Sequence, residues 1–185
     1  AARRTATASV RTGRASTGGH AVRRYGTRFA RAHNLNGTSG SSQPIARTST
    51  QSAGVGIRNV WISWSDGGAI SHSVTPAAST TYTANFTTQY LLTTNVSPAG
   101  GGSITASLSS ASGYYDSGTP VQLSATPAAN CTFVSWAGGL SGNTNPQILA
   151  MSAPQTVTAN FQCTASPLTS FVTGFALNSP PQRND

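Results

Sequence analysis

The chain has 185 residues, room for one ordinary domain or two small ones. Its formal charge of +8 comes from eleven Arg against three Asp, without Lys or Glu. Ten of the Arg lie at or before Arg58 and all three Asp (Asp66, Asp116, Asp185) lie after it, so any argument from net charge to nucleic acid applies to the first 58 residues alone.

Residues 1–58 are built from Arg, Ala, Thr, Ser and Gly, with bulky apolar residues scattered singly. Such a segment buries too little apolar area to offset the entropy of ordering it, so it is expected to be disordered. No aromatics alternate with the Arg as a stacking platform would require, which makes a nucleic-acid partner unlikely. The same Lys-free composition is what an out-of-frame reading of a GC-rich gene would encode. The start, AARRTATASV, has no apolar run behind its basic residues and does not read as a signal peptide. The chain reads as a piece of something longer. It has no stretch of the roughly 18 apolar residues that a membrane span needs.

From Val60 the character changes to short runs of Val, Ile, Thr and aromatic residues between Gly, Pro, Asn and Ser turns, the spacing of an all-β domain. Tyr90, Leu92 and Val96 share one face of a strand that ends at Ser97–Gly102. Ile104, Ala106 and Leu108 line the next, and Val121, Leu123 and Ala125 the one after YYDSGTP. CTFVSWAGG, apolar on both parities, is expected to be the most buried strand. QTVTANF closes the set with Val157, Ala159 and Phe161 on one face.

The stretch from Trp61 to Phe86 repeats the back half of that unit. WISWSDGG matches FVSWAGG, and TYTANF matches TVTANF. Trp64 and Phe86 are thus the counterparts of Trp136 and Phe161, a fixed-order similarity that marks tandem units. The front half of the first unit is not recognisable. The resulting division is a disordered Arg-rich segment at 1–58, a partial repeat at 59–88, a complete repeat at 89–163, and a linker or the start of a further domain at 164–185.

The runs YLLTTNVSPAGGGSITA, YYDSGTPVQLSATPAANCTFVSWAGGLSG and NPQILAMSAPQTVTANF resemble, in this order, the divergent internalin-type B repeat of bacterial surface and secreted proteins. The resemblance implies a small β-grasp-like or β-sandwich module, used in tandem outside the cell as a spacer or adhesive segment, with no catalytic residues to carry over. Its partners would be neighbouring repeats of the same chain, or a polysaccharide or cell-surface ligand. The family pattern has Gly and an aromatic residue where this chain has Asn130 and Cys131.

No catalytic, cofactor or metal set is expected. Asp66 and Asp116 lie in separate turns and do not read as the carboxylate pair of a glycosidase. His72, six residues after Asp66, has no nucleophile elbow to serve and reads as a solvated loop residue; His20 and His33 lie in the arm. Gly100–Gly102 lacks the Lys and helix of a phosphate loop and reads as a hairpin turn. Trp61, Trp64 and Trp136 admit two readings, a core role or a platform for stacking on sugar rings, with the Gly after Trp136 making room for the indole in the first. Cys131 and Cys163 are not spaced for a metal. If the Trp strand and the TANF strand pair antiparallel with Phe133 opposite Phe161, the cysteines face each other, where a disulfide is possible.

Overall fold

The computed structural model describes residues 39–164 in full and, before them, the backbone of two strands at 3–12 and 33–37. The sequence expectations for the remainder of the N-terminal segment and for residues 165–185 lie outside the described residues, as does the His20 side chain. The described chain is all-β: β1 (Arg3–Thr12), β2 (His33–Gly37), β3 (Gln43–Ala46), β4 (Thr50–Gly54), β5 (Ile57–Trp64), β6 (Ser71–Val74), β7 (Thr80–Ser97), β8 (Gly102–Ala106), β9 (Tyr114–Asp116), β10 (Pro120–Pro127), β11 (Cys131–Gly138), β12 (Gln147–Ala150) and β13 (Gln155–Cys163).

β7 organises the molecule. Its first half pairs antiparallel with β5, and its second half pairs parallel with β13, Gln155 opposite Leu92. β11 pairs antiparallel with β13, β4 covers the outer side of β5, and β1 runs antiparallel along β7 from Thr87 to Thr80. A three-stranded sheet, β12-β10-β8, and a two-stranded sheet, β3-β6, lie apart from this large one. The boundary placed at residues 88 and 89 therefore falls inside one uninterrupted strand.

Each half of the molecule has its own core. Leu92, Val121, Leu123, Trp136, Met151 and Phe161 belong to the larger cluster, with Tyr90, Val96 and Ile104 packed against it. Ile45, Trp64, Val74, Ala84 and Phe86 form the smaller one. Ala106 and Leu108, expected on one inner face with Ile104, are exposed: β8 is an edge strand that ends at Ala106, and Leu108 lies beyond it. CTFVSWAGG is not the most buried strand either. Among the described strands β11 pairs with β13 alone, and apart from Trp136 its side chains are half-buried or exposed, whereas β10 and β13 bury every second residue over most of their length.

The expected disorder up to residue 58 is corrected where strands are described. β3 pairs with β6, Ile45 opposite His72, and this buries Ile45 among Trp64, Val74 and Phe86. The missing front of the first repeat is in fact present from Ser39 onward. Gly40 and Gly118 both have left-handed φ (+74° and +84°), and their N–H groups donate to Pro76 (3.0 Å) and Met151 (2.8 Å) at matching points after β6 and β12. β3 on β6 thus repeats β10 on β12, with Ile45 in the place of Leu123.

Candidate functional site

The landmark residues of the two repeats pair identically. In the first, Trp61 lies opposite Phe86, Ser63 opposite Asn85 and Trp64 opposite Ala84. In the second, Phe133 lies opposite Phe161, Ser135 opposite Asn160 and Trp136 opposite Ala159. Both ladders shift register at the same place, leaving Ile62 (48 % exposed) and Val134 (46 %) on the outside, the side-chain re-aiming that a β-bulge provides. Asn85 Nδ2 donates to Ser63 Oγ at 3.2 Å, and Asn160 Nδ2 to Ser135 Oγ at 3.2 Å, so Ser and Asn of the repeated motifs hold each other across the bulge.

Trp64 and Trp136 are both 3 % exposed, and each indole donates to a loop carbonyl, Ile70 at 3.2 Å and Thr144 at 2.9 Å. A ring enclosed this way offers no face to a sugar, which removes Trp64 and Trp136 as a stacking platform. Trp61 is half-buried against the first core, with its Nε1 buried and unpartnered among the described residues. The small residue that accommodates each indole is the alanine opposite, Ala84 or Ala159, both fully buried. Gly138 has a different role: a Cβ there would collide with the Thr156 carbonyl. Gly100 has φ +81° in the hairpin before β8, and Gly102 lies so close to the Phe161 ring that a side chain would displace it, so the glycine run does serve as a packed turn.

Cys131 and Cys163 stand opposite each other and are joined by a disulfide, S–S 2.04 Å. Their places in the first repeat are held by Asn59 and Thr88, also paired across the ladder, with Thr88 Oγ1 donating to Asn59 Oδ1 at 3.0 Å in a buried setting. Asn59 Nδ2 has no partner among the described residues.

The joint between the repeats carries a polar network of its own. Arg58 Nε donates to Gln89 Oε1 (2.7 Å), and its Nη2 donates to Ser112 Oγ (2.9 Å). The Arg58 guanidinium carbon also lies 4.1 Å from the Tyr114 ring centroid, a cation–π distance. Gln89 Nε2 donates in turn to Asp116 Oδ1 at 2.8 Å. Nearby, the Leu91 N–H donates to Gly56 (2.9 Å), and Gly56 is so close to Pro154 that a Cβ there would stand 3.0 Å from the proline Cβ. Residues from β5, β7, β9 and the loop before β13 thus meet at one point. Sequence reading passed over Arg58 and Gln89 because nothing local distinguishes them; their partners come from other strands.

His72 is not a solvated loop residue. Its Nε2 meets Asp66 Oδ2 at 2.8 Å, its Nδ1 meets the Ala69 carbonyl at 2.7 Å, and its ring lies edge-on to Trp64 with centroids 6.1 Å apart. The bond to Asp66 raises the His72 pKa against the opposing effect of burial. For Asp66 burial is the largest single influence and acts upward, but the bonds from His72 and the Gly68 N–H outweigh it and hold the carboxyl below its usual value. The pair clasps the loop beside Trp64. Asp66 and Asp116 serve separate networks, and no group of three or more His, Cys, Asp or Glu is placed to hold a metal among the described residues.

Two copies of one β unit, with matched landmark pairs and one strand running through both, define a tandem all-β repeat protein. Residues 92–165 match the family model of the divergent InlB B-repeat domain. The match begins in the second half of β7 and takes in the second repeat; the first is related to it through the geometric equivalences above. The family points to a bacterial surface repeat module and is typically non-catalytic. No curated protein and no solved structure matches the chain. No helix among the described residues is long and apolar enough to cross a membrane.

Proposed function

We propose that the chain is a non-catalytic spacer segment of a larger bacterial surface or secreted protein, holding neighbouring domains at a set distance outside the cell. The observation that carries this reading is the joint. β7 passes without a break from one repeat into the next, and Arg58 ties the two through Gln89, Ser112 and Tyr114. A strand hydrogen-bonded on both sides resists bending at the place where a flexible linker would yield, so end-to-end reach is preserved. The disulfide supports an oxidising, extracytoplasmic setting. The partners in this reading are the repeats and domains on either side in the same chain.

Display on a bacterial surface, between an anchor and a terminal epitope, tests the role. The epitope should be open to antibody with residues 39–164 in place and masked when they are deleted, and an unrelated rigid module of equal length should restore access. Equal antibody access with and without the repeats would sink the spacer reading.

A further inference from the structure

We infer that the Cys131–Cys163 disulfide is a redox-operated length stop, which carries tension past the body of the second repeat and lets thiol reductants set how far the chain can extend. The inference deepens the spacer reading and rests on it for its biological use. Cys131 opens β11 and Cys163 closes β13, and the bond spans 32 positions. Between them lie most of β11, all of β12, most of β13, and core residues Trp136, Leu149, Val157 and Phe161. Tension applied beyond Thr164 reaches Cys163 and passes through the two sulfurs to Cys131, then into the turn before it and β10. The β11–β13 ladder is outside that path and cannot be peeled from this end.

The first repeat has no such shunt. At its equivalent positions Asn59 and Thr88 share only a 3.0 Å hydrogen bond, so that repeat extends in full whether or not reductant is present. One chain thus contains a stopped repeat and an unstopped one. Cys163 is exposed and Cys131 half-buried, within reach of a small dithiol. Reduction moves two electrons and two protons from the dithiol to the bridge; the S–S bond breaks, two cysteine thiols form, and the dithiol closes to its own cyclic disulfide.

Single-molecule stretching of the full chain, held by its two ends, reads the stop directly. Freed of the bridge, the segment of 32 positions adds about 110 Å of contour length at ~3.4 Å per residue. The oxidised chain is expected to be shorter than the dithiol-treated chain by that amount, and the C131S/C163S chain to show the long value in both conditions. Because contour length is read on the extended chain, the comparison holds even where the variant folds poorly. Equal contour lengths with and without dithiol overturn the length stop. The spacer reading has its own readout, the unfolding force of the first repeat. A chain that lengthens on reduction yet yields without resolvable force keeps the stop and loses the spacer.

Discussion

Asn59 stands opposite Thr88 at the place in the first repeat where Cys131 stands opposite Cys163 in the second. Two solutions to one structural problem therefore occur in a single chain. Both tie the start of the Trp strand to the end of the TANF strand, one by a buried hydrogen bond and the other by a covalent link. The hydrogen-bonded version leaves Asn59 Nδ2 without a partner, a cost that the disulfide avoids.

Removing the link should weaken the second repeat. Closing a loop of this length stabilises by roughly 3–4 kcal/mol in the chain-entropy model, so C131S/C163S should lower the urea midpoint by a corresponding amount. Hydrogen exchange at the β10 and β13 amides across a urea series follows the second repeat, and an unchanged midpoint would show that the bridge contributes nothing.

The reverse exchange should strengthen the first repeat. N59C/T88C is expected to form a second bridge on air oxidation and to gain roughly 3–4 kcal/mol from loop closure, with about 1–3 kcal/mol more available from removing an unpaired buried donor. Mass spectrometry would show the loss of two further hydrogens. Free thiols at 59 and 88 in oxidised protein would mean the two positions are not equivalent in geometry.

Alanine opposite tryptophan is a size match, and enlarging it should be costly. Ala159→Leu should destabilise by about 1–3 kcal/mol through overpacking against Trp136. Trp136→Ala, which empties the same space, should cost about 3–5 kcal/mol. Val134→Ser, on the outward side of the bulge, should stay within about 0.5 kcal/mol. Chemical unfolding of the three variants checks the order, and a Val134 effect as large as that of Ala159 would contradict the placement of the bulge.

Arg58→Ala should uncouple the repeats. It removes two hydrogen bonds worth about 0.5–1.5 kcal/mol each and a cation–π contact worth about 0.5–1 kcal/mol at an exposed site. Arg58→Lys should not restore the joint, because a lysine lacks the planar fork that reaches Gln89 and Ser112 together. One cooperative thermal transition in the parent and two in the variant, by differential scanning calorimetry, is the expected outcome.

The His72–Asp66 clasp gives the first repeat a shallow pH optimum. The raised His72 pKa means its contribution is fully present below the ordinary value of 6.5 and is lost as pH rises through the folded value. The lowered Asp66 pKa means its contribution is present above 3.8 and is lost as pH falls through the folded value. Stability of the first repeat should therefore be highest between these limits and decline on both sides, weakly and less so in high salt, since the pair is at the surface. His72→Gln should flatten the profile; a profile that persists in that variant would assign it to other groups.

What the sequence by itself determined is the local grammar of the repeat. Period-two alternation identified the buried faces of β10 and β13, the Ser-Trp and TANF motifs identified equivalent strands, and one assumed register placed Cys131 opposite Cys163. These features are local or follow from a single pairing, so they survive without knowledge of the neighbours. The tertiary structure alone decided the rest. β3 is four residues with a proline and one inward apolar residue, Ile45; it is a strand because β6, far along the chain, supplies its hydrogen bonds and Trp64 covers it. The paired motif Ser39-Gly40 and Ser117-Gly118 was available as a signal, but its meaning depends on carbonyls at Pro76 and Met151. β11 reads as the most buried strand and lies at an edge, because burial is set by which strands come alongside. β7 reads as two strands and is one, because β5, β9 and β13 satisfy its backbone in succession. The backbone's demand for hydrogen-bond partners, met over long sequence separations, is what turned two recognisable motifs into one continuous pair of repeats.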